Sequence, residues 1–115
     1  MKFKGNVHIY HFTEMKVMQI LQAVQATVPE NYEPTVTSAN DSKHKPDSLH
    51  YQDRAFDIRV KDYPGFDLNR FEETRWVIDE WIARMREILN EYEYDIVFGD
   101  AKHRNHIHIE FDPKY

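Results

Sequence analysis

Near its C-terminus the chain reads His103-Arg104-Asn105-His106-Ile107-His108-Ile109-Glu110-Phe111, so three of its seven histidines fall within six residues. Imidazole binds transition metals and moves protons near neutral pH. A second stretch, Ser48-Leu49-His50-Tyr51-Gln52-Asp53-Arg54-Ala55-Phe56-Asp57, holds a histidine and an aspartate seven residues apart. Two His and one Asp, drawn from two strands, make a three-ligand set with an open fourth position. That pattern suits Zn²⁺ in a catalytic rather than a structural site. Imidazole and carboxylate also hold other first-row metals, so zinc is inferred from the pattern and not from affinity. The chain has no cysteine, so any metal must be held by His, Asp and Glu. Plainer readings exist for both stretches. The histidines can be the water-facing side of an amphipathic strand, and Asp57 can be ion-paired with Arg54, Arg59 or Lys61.

Such a site needs strands that hold these side chains on one face. From His106 to Phe111 the residues alternate, which sends Ile107, Ile109 and Phe111 to the core and His106, His108 and Glu110 to the other side. Arg54 to Val60 alternates too, with Phe56, Ile58 and Val60 facing one way and Ala55, Asp57 and Arg59 the other. Further short strands are expected at Asn6–Tyr10, Pro34–Ala39 and Tyr94–Phe98. Asn40–Ser48 is rich in turn formers and reads as a loop. One helix is expected from a cap at Thr13, with Met15, Val17, Ile20, Leu21, Val24 and Val28 on its apolar face and Pro29 as its stop. A long second helix is expected from Asp67 or Asn69 to about Asn90, with Asn69 and Glu72 in capping-box spacing. Its apolar stripe is Phe71, Ile78, Trp81, Ile82, Met85, Ile88 and Leu89. The expected fold class is α+β, a small antiparallel sheet with helices packed on one face.

The 115 residues bound one domain, 1–115, with one core. Hydrophobic residues make up 41%, a globular and not a disordered composition. A net charge of −5 argues against nucleic acid as a partner. The N-terminal segment lacks the apolar run of a signal peptide, and no stretch has the length to insert into a membrane. The expected place of synthesis and residence is therefore the cytoplasm. The oligomeric state is not legible.

At these residues the sequence resembles a known family. Ser48-Leu49-His50 followed by Asp57 is similar to the Ser-x-His-x6-Asp signature of the zinc D-Ala-D-Ala carboxypeptidases and related murein endopeptidases (peptidase family M15). That family shares its zinc-site fold with the hedgehog signalling domain. His106-Ile107-His108 looks like the family's second signature, in which the last His of His-x-His completes the site. The resemblance covers roughly Val36 to Tyr115, apart from the long helix. It implies a hedgehog/DD-peptidase-like fold with His50, Asp57 and His108 as zinc ligands.

Two positions depart from the family pattern. Many members carry a catalytic Asp or Glu three residues before the last ligand, where this chain has Asn105. Some carry a His five residues before it, and His103 matches, with Asp100 as a further candidate. Several members bind a terminal carboxylate with an Arg in Ser-Gly-Tyr-Arg, whereas this chain reads Thr37-Ser38-Ala39-Asn40-Asp41-Ser42-Lys43. Lys43 can stand in there, but as a point charge. His103 or His106 is a candidate donor to the tetrahedral oxyanion, His106 thereby a candidate substrate-binding residue, Glu110 a candidate to orient a ligand imidazole, and His44 a candidate to line the cleft or to face solvent. His8 and His11 read as structural or exposed.

The resemblance implies a zinc-dependent peptidase that cuts D-amino-acid bonds in peptidoglycan or its precursor peptides, as carboxypeptidase or endopeptidase. With no signal peptide, it would be a phage or prophage lysin or a cytoplasmic enzyme of wall metabolism. The alternative is a catalytically silent zinc-containing binding module of the same fold, which Asn105 favours and His103 opposes.

Overall fold

A computed structural model describes residues 2–3, 15–39 and 55–112. The strands are β1 (Lys2–Phe3), β2 (Thr35–Ala39), β3 (Ala55–Arg59), β4 (Tyr94–Val97) and β5 (His106–Phe111). The helices are α1 (Met15–Thr27), α2 (Phe71–Thr74) and α3 (Trp76–Met85). The sheet order is β1-β2-β3-β5-β4. The last four strands in that order pair antiparallel, as expected, but β1 pairs parallel with β2 through Lys2↔Thr35 and Phe3↔Val36. The result is a small α+β fold. The strand expected at residues 6–10, the cap at Thr13 and the loop at 40–48 lie outside the described residues.

β3 and β5 sit at the centre of the sheet, and their alternation sets what each face does. Phe56 and Ile58 are buried against Ile107 and Ile109, and the register pairs Phe56↔Ile109 and Ile58↔Ile107 directly. That face shares one core with Val17, Ile20, Ala23 and Val24 of α1 and with Ile78, Trp81 and Met85 of α3. Both helices therefore cover the same side of the sheet. On the opposite face the same register sets Asp57 against His108 and Arg59 against His106. Burial of one face fixes the register, because a one-residue slip would expose the isoleucines and bury the charges. Ile107→Asp tests this. An unpaired carboxylate in that core should cost about 3 kcal/mol or more and lower the melting temperature by roughly 10 °C or more. A melting temperature equal to wild type would mean that His108, not Ile107, points inward.

α1 ends where Thr27 folds its hydroxyl back onto the Ala23 carbonyl at 2.7 Å, two residues before Pro29. The same hydroxyl accepts from Trp81 Nε1 at 2.8 Å. Trp81 is fully buried, so this bond satisfies its one polar atom while it ties α3 to α1.

The long helix expected from Asp67 to Asn90 is a series of pieces. Asp67 is the cap, accepting from the Asn69 amide at 2.9 Å, but it caps a 3-10 turn over Leu68–Arg70. Thr74 then bonds the Arg70 carbonyl at 2.8 Å and the Asp67 carbonyl at 3.0 Å. A threonine hydroxyl that competes for backbone carbonyls interrupts a helix, and the break at Arg75 follows it. Beyond Met85 the chain continues in turns, with Leu89 N still on Met85 O at 2.8 Å. Asn90 stops it by accepting from the amides of Tyr92 and Glu93. Leu89 stays buried, but Ile88, expected on the apolar stripe, is 46% exposed because the helical period has ended before it. Among the described residues no helix is long and apolar enough to cross a membrane.

Candidate metal centre

Asp57 and His108 are direct cross-strand partners, and their side chains meet: His108 Nδ1 lies 2.8 Å from Asp57 Oδ1. The other ring nitrogen, Nε2, lies 3.2 Å from Glu110 Oε1, two residues along the same strand face. One imidazole is thus gripped by two carboxylates. Burial by itself would lower the His108 pKa, but the hydrogen bonds and charges of Asp57 and Glu110 outweigh it and raise the pKa to about 9. Without a metal, His108 is therefore an imidazolium at neutral pH, donating both N–H groups. Asp57 makes no ion pair with Arg59 or Lys61 among the described residues, so of its plainer partners only Arg54, outside them, is left open.

That arrangement carries a pH signature. The folded pKa of His108 lies above its unfolded value, so the stabilisation is complete below about pH 6.5 and is lost as pH rises through about 9. For a partly solvated group the loss should be about 2 kcal/mol. Melting of metal-free protein at pH 6 and pH 9.5 should show this loss in wild type and not in His108→Gln. An equal loss in the variant would assign it to other groups.

Imidazole and carboxylate are also the donor types of a divalent-cation site. His108 through Nδ1 and Asp57 would be the residues of this pair to hold such an ion in place of the proton, and Glu110, on Nε2–H, would be the outer carboxylate that fixes the imidazole's tautomer and orientation. Among the described residues no three His, Asp or Glu side chains are grouped to hold one ion. His50, the third ligand implied by the family pattern, lies outside the described residues, as do Lys43, His44, His8 and His11.

His103 reaches this face from the loop between β4 and β5. Gly99, at φ 98°, lets the loop close, and its amide bonds the His103 carbonyl at 2.6 Å. A Cβ at Gly99 would fall 2.6 Å from Arg75 Nη2, whose guanidinium stacks over Phe71 and Phe98 at 5.3 and 5.7 Å. Glycine is thus favoured by the left-handed backbone, while a side chain there would also have to push the Arg75 guanidinium aside. The loop brings the His103 ring to 5.0 Å from His106 and 6.0 Å from His108. Its Nδ1 lies 2.6 Å from Asp100 Oδ1, a contact that holds the Asp100 carboxyl below the usual carboxylate range. Asp100 orients His103 through Nδ1 and leaves Nε2 for other work. The sequence offered the two as rival bases, but the loop joins them as a pair.

His106 is held differently. Its Nδ1 lies 2.8 Å from Asn105 Oδ1, and its Nε2 lies 3.9 Å from Asp57 Oδ1, too far for a hydrogen bond. Burial keeps its pKa below the ordinary histidine value, so the ring is neutral. Asn105, the residue that departs from the family pattern, acts here as a support for His106. No local pattern encodes that contact, because a side chain one position before a strand has no fixed direction.

No protein-family model, no curated protein and no solved structure matches this chain.

Proposed function

We propose that the chain is a zinc-dependent peptidase that hydrolyses D-amino-acid peptide bonds of bacterial peptidoglycan or its precursor peptides. One observation carries this reading: the His108 imidazole is gripped between Asp57 and Glu110, with the His103–Asp100 pair 6.0 Å away across the same face. A binding surface needs no oriented base beside a metal-ligating pair, whereas hydrolysis does.

His108 and Asp57, with His50 as third ligand, would hold the ion. Zinc in such a site lowers the pKa of bound water towards about 7 and polarises a carbonyl. The remaining work falls to the protein. His103, with Nδ1 tied to Asp100, presents Nε2 to take the attacking water's proton and return it to the leaving amine. Glu110 fixes the orientation of His108. His106 packs against this centre and lines the adjoining groove, where it contacts the substrate backbone. A hedgehog/DD-peptidase-like arrangement of the sheet, and action as a phage or prophage lysin or on cytoplasmic precursors, belong to the same proposal.

The second reading is a zinc-containing binding module without turnover. Asn105 favours it, since that position lacks an acid and is bonded to His106. Purified peptidoglycan incubated with the protein, with and without chelator, separates the two. Chelator-sensitive release of D-Ala or of cross-linked muropeptides is expected. Zinc binding without any release from any murein substrate would favour the binding module.

A further inference from the structure

His103 and His106 are held in the same way by different partners. His103 Nδ1 lies 2.6 Å from Asp100 Oδ1, and His106 Nδ1 lies 2.8 Å from Asn105 Oδ1. A carboxylate or amide oxygen only accepts, so Nδ1 carries the hydrogen in both rings. A neutral ring of that tautomer keeps its lone pair on Nε2, and among the described residues neither Nε2 has a hydrogen-bond partner. An oxygen that fixes one ring nitrogen while the other stays open is how metal-ligating histidines are oriented. The separation of the rings fits as well. Their centres are 5.0 Å apart, with 58° between their planes. Two imidazoles bound to one ion in a tetrahedral shell, with metal–nitrogen bonds of about 2.0–2.1 Å, place their ring centres about 5 Å apart. His106 Nε2 also lies 3.9 Å from Asp57 Oδ1, which puts a negative charge beside the pair. Arg59 is the cross-strand partner of His106 and opposes a cation there, while the carboxylates of Asp57 and Asp100 draw one in.

We propose that His103 and His106 form a second cation site, separate from the Asp57–His108 centre, that takes one first-row divalent cation such as Zn²⁺ through both Nε2 atoms. Imidazole suits zinc, copper and nickel alike, and water completes the shell. Two neutral protein ligands hold an ion more weakly than a three-ligand centre with a carboxylate, so this site fills only in excess metal and empties on purification. Binding at the pair does not depend on any activity of the chain. Its consequence rests on the peptidase reading. An ion on His103 Nε2 takes the lone pair that would receive the attacking water's proton, so filling the second site stops turnover.

The test is an NMR titration with zinc, taken beyond one equivalent, of protein whose histidine rings are isotope-labelled. The Nε2 signals of His103 and His106 should move together in the later part of the titration, while both Nδ1 atoms keep their protons. His103→Ala and His106→Ala should each abolish that later response in the remaining ring, and His108→Ala should leave it in both. Asp100→Asn removes an outer partner and should weaken it by about 10–100-fold. Unchanged amide shifts across the core face verify that each variant is folded. No response of the two Nε2 atoms in excess zinc, or a response of either ring that survives replacement of the other, would overturn the proposal. Turnover plays no part in this measurement, so the two readings fail separately. An unfilled pair beside chelator-sensitive peptidoglycan hydrolysis removes the second site and keeps the peptidase. A filled pair with hydrolysis undiminished keeps the site and removes His103 as the base.

Discussion

On the proposed peptidase reading, His103→Ala should keep its fold and its zinc binding and lose turnover by roughly 10²–10⁴-fold, the range contributed by a positioned general acid–base. The fold is safe because His103 lies on the loop between β4 and β5, outside the buried core. Zinc binding should survive because Asp57 and His108 meet on the central strands without His103. What disappears is the imidazole whose Nδ1 is fixed by Asp100 and whose ring stands 6.0 Å from His108. Asp100→Asn leaves that imidazole in place but loosens it, and should cost about tenfold, the effect of an orienting partner rather than of the acting group. Comparing kcat of the three proteins at matched zinc content checks both. Full activity in His103→Ala would take His103 out of the mechanism and leave Asp100 as the next base to test.

The second large effect is on metal affinity. Asp57→Ala and His108→Ala should each weaken zinc binding well beyond the about 10–100-fold that an outer partner contributes, and Glu110→Gln should fall within that range. The grading follows from the geometry. Asp57 and His108 Nδ1 face each other at 2.8 Å and are the atoms a cation would share, whereas Glu110 touches only the far nitrogen at 3.2 Å. His50→Ala should match the first pair. Chelator competition gives the four variants' affinities directly. A Glu110→Gln loss as large as that of Asp57→Ala would make Glu110 a ligand and Asp57 its support.

The sheet was legible because period-two alternation is a local property. Phe56, Ile58, Ile107 and Ile109 are buried where the pattern put them, and the face carrying Asp57 and His108 follows from that alone. The helices were less legible. Thr74 reads as a helical residue in sequence, and its hydroxyl's hold on the Arg70 and Asp67 carbonyls appears only when the turn before it is built. Ile88 has the right spacing for an apolar stripe but lies past the last regular turn. The parallel pairing of Lys2 and Phe3 with β2 depends on contacts 33 positions apart in the register Lys2↔Thr35, which no local pattern encodes. Within the candidate site, the alternation of the two strands puts Asp57, His108 and Glu110 on one face. The pairing of Asp100 with His103 and of Asn105 with His106 came from loop geometry, since three-residue and one-residue spacings in a loop carry no fixed direction.

The central claim is that Asp57 and His108 hold a zinc ion, and elemental analysis of protein purified without a His-tag tests it most directly. The expected result at pH 8 is about one zinc per chain in wild type and none in Asp57→Ala. Bound zinc should fall as pH is lowered, because a metal at His108 displaces the proton that two carboxylates hold there up to about pH 9. Protein that takes up no zinc at pH 8, or whose zinc content is unchanged by Asp57→Ala and His108→Ala, would contradict the account. The cross-strand pair would then be a histidine–carboxylate bridge that only stabilises the sheet.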